Sequence, residues 1–139
     1  MRCLPALLAI TAGPAGLVAQ APPAGRFADD YGSRHQISDS AWVHDDTYRY
    51  IVVRWDTAGR FLVARNAASN PSDGGKFTRI DWMPLEGMPP WRWAFCLAIW
   101  DAPTADSAAR VTIARREAPR SGCGGHPFTR LKPAEDARP

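Results

Sequence analysis

The sequence predicts a small, mainly β domain: an antiparallel meander closed into a barrel, or folded into a two-layer β-sandwich, with one short helix. Three observations carry this. β-Branched and aromatic runs of strand length recur along the chain. Dense turn chemistry separates them at short intervals. The runs number seven or eight, and most connections are tight, the spacing of a meander. The pattern does not separate barrel from sandwich.

His35–Ser38 and Ala41–His44 read as short strands joined by the polar turn Ser38-Asp39-Ser40. Tyr48–Trp55 is β-branched and aromatic almost throughout, and Arg60–Arg65 is a second apolar run. Asp56-Thr57-Ala58-Gly59 between them predicts a hairpin in which Gly59 supplies a positive φ. Asn66–Lys76 is a loop of Asn, Asn-Pro, Ser-Asp and Gly-Gly. In Phe77–Met83, alternation puts Thr78, Ile80 and Trp82 on one face and Phe77, Arg79, Asp81 and Met83 on the other. Pro84 ends that strand, and Glu86–Pro90 turns the chain. Trp91–Trp100 is the most apolar strand. Trp91, Trp93, Phe95, Leu97 and Ile99 share one face; Arg92, Ala94, Cys96, Ala98 and Trp100 share the other. Apolar residues on both faces predict a strand covered on both sides. Asp101 is the expected cap of a helix with Pro103 near its start and Ala105–Arg110 as its body. Val111–Ala114 reads as a strand or as the end of that helix. Gly122–Gly125 turns around Cys123, and Phe128–Lys132 is the last strand.

The first nineteen residues read as a secretory signal peptide. Arg2 gives a positive start, Leu4–Val18 is apolar and uncharged, and Ala19 is suited to cleavage. Pro5, Gly13, Pro14 and Gly16 interrupt a run already too short to span a bilayer, so no stable membrane insertion is expected after cleavage. The expected organisation is a signal peptide over 1–19, a Pro-rich linker over 20–26, one β domain over 27–132 and a disordered tail over 133–139. Cleavage removes Cys3 and leaves Cys96 and Cys123 in an oxidising compartment, secreted or periplasmic. Their wide spacing is unlike a CxxC redox pair, and a structural disulfide is the expected reading.

The formal charge of +3 falls to +2 once Arg2 is lost, and the basic residues are interleaved with Asp and Glu. Nucleic-acid binding, which needs a clustered basic face, is not expected. No GxSxG, HExxH or phosphate-cradling glycine loop is present. Asp29-Asp30 and Asp45-Asp46 read as solvated turn residues rather than a glycosidase couple. His35 and His44 could meet across a hairpin, but exposed or hydrogen-bonded histidines are favoured over a metal site. Neither a catalytic set nor a metal or cofactor is expected. Arg79 and Asp81 lie on one strand face, as a binding floor or, preferred, as an ion pair that also touches Asn66 or a backbone carbonyl. Among six tryptophans, Trp82, Trp93 and Trp100 are expected in the core, and Trp91, at a strand start after Pro90, is the candidate for partial exposure at a binding site.

Taken in order, Tyr31-Gly32, His35-Gln36-Ile37, Trp42, Trp55-Asp56, Ala64-Arg65-Asn66, Asn70, Arg79-Ile80-Asp81-Trp82, Phe95-Cys96, Trp100-Asp101-Ala102 and Gly122-Cys123-Gly124-Gly125 with Phe128 form a set of landmarks. The set resembles a family of small secreted or lipid-anchored bacterial proteins of unassigned function. The resemblance covers nearly the whole mature chain. Arg65 departs from it, standing where the family pattern has Gln, and so does Ala58-Gly59, which replaces part of the family's acidic turn. It implies a one-domain β fold and the Cys96–Cys123 pairing, and implies no chemistry. The expected function is a non-enzymatic β domain that binds a small molecule or a protein partner. An inhibitor of an extracellular hydrolase presenting Asn66–Lys76 is the alternative, and an enzyme of unrecognised class comes last. Binding candidates are Arg79, Asp81, Asn66 and Trp91. A cavity at one end of a barrel would favour the first reading.

Overall fold

In a computed structural model the chain forms a closed barrel, not a sandwich; the structure describes residues 21–135. The signal peptide expected over 1–19 and residues 136–139 of the expected tail lie outside the described residues. The elements are β1 (Gly25–Asp29), β2 (Arg34–Ile37), β3 (Ala41–His44), β4 (Tyr48–Asp56), β5 (Phe61–Asn66), β6 (Phe77–Pro84), β7 (Trp93–Ala102), α1 (Ala105–Ala109) and β8 (Thr129–Pro133). Each strand pairs antiparallel with the next, and β1 pairs with β8 through Phe27↔Pro133, Ala28↔Lys132 and Asp29↔Leu131. That last pairing removes both sheet edges. We call the end carrying the β1–β2, β3–β4, β5–β6 and β7–β8 connections the upper end.

Alternation decides what fills the barrel. Phe27, Ile37, Trp42, Tyr50, Leu62, Ala64, Ile80 and Leu131 face inward as one buried cluster. Trp82 is fully buried near the lower end, edge-on to Trp93 with ring centroids 5.7 Å apart. The opposite face of β5–β7 is covered too. Phe61, Val63 and Ala102 pack with Ala108 of α1, and Ala94, Cys96 and Ala98 pack with Phe128 from the segment after α1. The apolar-on-both-faces pattern of β7 therefore has the expected cause. Cys96 and Cys123 form a disulfide with Cα atoms 5.5 Å apart across a separation of 27 residues, which places the protein in an oxidising compartment. It fastens the β7–β8 connection to the barrel. Gly122 makes this possible: a Cβ there would overlap the carbonyl oxygens of Arg115 and Ala118.

Several expectations are corrected. Gly25–Asp29 is a strand, although its start was assigned to the linker and Asp29 to a solvated turn; Phe27 is the only large apolar residue in it. Pro133 belongs to β8, and the Ala134 N–H donates to the Arg26 carbonyl at 3.0 Å, so the barrel extends into the expected tail. Val111–Ala114 is neither strand nor helix; Ala114 only bridges to Cys123. The cap of α1 is Thr104, reciprocally bonded with Ser107, while Asp101 lies in β7. In the β4–β5 turn the positive φ falls on Arg60, at 54°, not on Gly59. Gly59 is held by its N–H to Asp56 Oδ1 at 2.7 Å, and a Cβ there would strike the Phe61 ring. Register shifts between β6 and β7 put Ile99 opposite Arg79, on the outer side with α1. Trp100 is consequently not core but 52% exposed, and Trp93 is half-buried.

Two outcomes follow for stability. Trp82→Ala should cost about 3–5 kcal/mol by loss of area and cavity formation, and Trp93→Ala distinctly less, by urea titration. Replacing both Cys96 and Cys123 by Ser should cost about 3.5 kcal/mol in the chain-entropy model, with the fold retained. A larger effect for Trp93→Ala than for Trp82→Ala would contradict this packing.

Candidate functional site

The upper end of the barrel is open. Two cavities enter it, one of about 330 Å³ reaching inward past His35, Trp42 and Phe95, the other of about 360 Å³ toward Tyr48, Asp73 and Trp100. His44, Tyr50 and Leu97 line both. A further hollow of about 400 Å³ lies against β1–β3, bordered by the exposed, mixed-charge side chains of Arg26, Arg34, Asp46 and Glu135.

The inner lobe is organised by one buried chain of hydrogen bonds. Asp29 Oδ1 accepts the N–H groups of Tyr31 at 3.0 Å and Ser33 at 2.8 Å, closing the β1–β2 turn. Asp29 Oδ2 lies 2.8 Å from His35 Nε2. Trp42 Nε1–H donates to His35 Nδ1 at 3.0 Å. An indole N–H can only donate, so Nδ1 carries no proton and Nε2–H must donate to Asp29. His35 is therefore a neutral imidazole in one tautomer. Its pKa lies below the usual 6.5, because burial outweighs the hydrogen bond to Asp29.

The register then builds an aromatic stack. His35 pairs with His44, and His44 with Tyr48. The His35 and His44 rings lie 4.6 Å apart and 7° from parallel, Tyr48 follows His44 at 6.1 Å, and Tyr50 follows Tyr48 at 6.5 Å. His44 Nε2 is buried and has no hydrogen-bond partner among the described residues; Asp45 Oδ2 is 3.4 Å away but outside hydrogen-bond geometry. Ligand atoms of Asp29, His35 and His44 lie within 4.8 Å of one another, the spacing of a metal site. The protons argue against one: the Nδ1 lone pair of His35 is taken by Trp42 and its Nε2 carries hydrogen, so it has no lone pair to give. Among the described residues no hydroxyl bonds either imidazole, so no nucleophile–base pair is assembled here.

The outer lobe is held by two asparagines. Asn66 is buried; its amide nitrogen donates to the carbonyls of Asp73 at 2.9 Å and Trp100 at 2.7 Å, and its oxygen accepts from Thr78. Asn70 bonds both the N–H and the carbonyl of Arg49, tying the β5–β6 loop to β4. Burial pushes the Tyr50 phenol up to about 12, with smaller contributions from Tyr48 and Asp73.

Of the residues singled out from sequence, Asn66 lies at this end, as a positioning residue with its polar atoms engaged. Arg79 and Asp81 lie elsewhere, on the outer face of β6 under α1. Arg79 meets Asp81 through two bonds of 2.8 and 2.9 Å, donates to the Ala109 carbonyl at 2.6 Å and stacks on Phe61 at 3.8 Å. Arg116 adds a 3.2 Å bond to Asp81. The partner beyond Asp81 is thus a backbone carbonyl, not Asn66. Trp91 sits near the lower end with Arg130 over its ring at 4.7 Å and Lys132 at 5.4 Å, and it lines neither lobe. Sequence reasoning missed Asp29, Tyr48, Tyr50, Asp73 and Trp100; alternation along Tyr48-Arg49-Tyr50 and His35↔His44 pairing were the available signals. No family model, curated protein or solved structure matches the chain.

Two measurements check this geometry. The unfolded chain takes up a proton at His35 near pH 6.5, whereas the folded chain resists it to lower pH. Acidification therefore favours unfolding. The His35 contribution is fully present above pH 6.5 and is lost as pH falls through the folded-state value. The melting temperature should decline below pH 6.5, with a smaller slope in His35→Gln; identical slopes would contradict the neutral tautomer. Arg79→Met and Asp81→Leu should each cost about 3 kcal/mol, because each takes the two-bond partner from a buried charge and leaves it only Arg116 or the Ala109 carbonyl. The double variant should cost less than the sum, and strict additivity would show the pair is uncoupled.

Proposed function

We propose that this protein is an exported, non-enzymatic barrel that captures a small molecule in its open upper end. The observation that carries the reading is the pair of adjacent cavities that share His44, Tyr50 and Leu97 as walls. Their volumes fall in the range of small-ligand sites, and aromatic walls with a few fixed polar groups are what such sites use. Export is supported by the leader-like N-terminus and by the disulfide, and a secreted or periplasmic location fits both. The resemblance in ordered landmarks agrees with a small envelope protein.

The hydrolase-inhibitor alternative is less well supported. Residues 67–75 are Ala, Ser, Asn, Pro, Asp and Gly, with no bulky anchor of the kind that dominates protein interfaces. That loop is also tied down on Arg49 and Asn66. An enzyme would need two titratable groups converging on a reacting atom, and His35 has both nitrogens committed.

The neutral fluorescent probe N-phenyl-1-naphthylamine tests the site. It should bind saturably, and Leu97→Trp, which fills the junction of the lobes, should weaken it at least about tenfold, or ~1.4 kcal/mol. Arg79→Met, remote from both lobes, should leave binding within about twofold once its fold is verified. Absence of saturable binding, or indifference to Leu97→Trp, would overturn the proposal.

A further inference from the structure

We infer that the outer lobe of the upper end takes an organic cation, an ammonium group carrying apolar substituents, with Asp73 as its counter-charge. This rests on reading the upper end as a ligand site and goes on to name the ligand's chemistry. Four aromatic rings, His44, Tyr48, Tyr50 and Trp100, line the lobe together with Asp73, and neither Lys nor Arg is among its walls. Trp100 is 52% exposed, whereas residues 93–99 of the same strand are buried or half-buried. The register shift that sends Ile99 outward leaves it at the lip.

Aromatic faces carry negative potential and attract a cation placed over them, most strongly where water is displaced. A carboxylate at the same lobe adds a full charge of the same sign. An anion is repelled by both. A neutral ligand in this lobe would partly desolvate the carboxylate and add no charge to the weak Lys76 pair. An ammonium with methyl or larger substituents satisfies walls and charge together. The Lys76 ammonium meets Asp73 Oδ1 at 3.2 Å with its side chain half exposed, and such surface pairs are weak. Among the described residues no side chain bonds the second oxygen of Asp73.

The arrangement is fixed in advance. Asp73 adopts φ 58°, a left-handed conformation that Asp and Asn tolerate better than most residues. The single amide of Asn66 donates to the backbone carbonyls of both Asp73 and Trp100, tying together the two main-chain positions that carry the carboxylate and the indole. Asn66 is itself anchored by Thr78 on the neighbouring strand. Preorganisation of this kind lowers the ordering cost of binding.

Choline and its neutral isostere 3,3-dimethylbutan-1-ol, titrated into the protein and followed by NMR, test the inference. Choline should bind at least about tenfold more tightly than the alcohol, with shifts at Tyr48, Tyr50 and the Trp100 indole. Asp73→Asn, which keeps the left-handed backbone, should bring the two affinities within about twofold, and Trp100→Leu should weaken choline at least about fivefold. Equal affinities in the parent protein, or an unchanged preference in Asp73→Asn, would overturn the inference. If neither probe binds while the neutral naphthylamine still does, the cation assignment fails and the ligand site stands; if none of the three binds, both fail.

Discussion

A closed eight-stranded barrel has an interior about as wide as its own side chains, so what points inward decides whether it is a plug or a cup. In this molecule the inward positions change character along the axis. Near the lower end they are Trp82, Trp93, Leu62, Ile80 and Leu131, large enough to fill the cross-section. Near the upper end they are Asp29, His35, His44, Tyr48 and Asn66, polar or flat, held by hydrogen bonds and ring stacking beside space they do not fill. The cavities occur where that change happens. Trp42 marks the boundary: its ring packs against Phe95, and its N–H sets the tautomer of His35.

The outer face solves a different problem. A barrel of about 110 residues has little apolar area to spare, and β5–β7 are largely buried on both sides. The long β7–β8 connection covers that second face with α1 and Phe128, pinned by the disulfide at one point and by Arg79, Asp81 and Arg116 at another. Deeply buried charges are tolerated there because the guanidinium and carboxylate meet through two bonds and a carbonyl takes a third. The most polar feature within an apolar strand is thus a fastening for the cover, distant from the cavities. A polar cluster in a strand identifies a site only when it faces an opening.

Much of this fold is legible in the residues because alternation is a local signal. The β4–β5 hairpin, the facing of Thr78, Ile80 and Trp82, the pairing of Cys96 with Cys123 and the shared face of Arg79 and Asp81 all follow from spacing of two or from compartment. What is not legible depends on distant register. Strand β1 has one large apolar residue, and becomes a strand because β2 and β8 supply partners on both sides. Asp29 is buried by that pairing and not by its own neighbours. Trp100 looks like core until the shift opposite Arg79 reverses the alternation. Arg60 takes the left-handed turn position since Gly59 is needed for close approach to Phe61. The site residues were hard to see for the same reason: Tyr48, Asp73 and Trp100 lie on three separate segments, brought together by the barrel and by one buried asparagine.

The central claim is that the barrel is filled below and open above. The indole N–H signals report this directly when a soluble gadolinium chelate is added during NMR. The account predicts strong broadening of the Trp100 indole, with Trp42 and Trp82, at 1% and 0% exposure, left sharp. Equal broadening of Trp42 and Trp82 would mean water reaches through the barrel; a protected Trp100 would mean the upper end is closed. Either result would contradict the account.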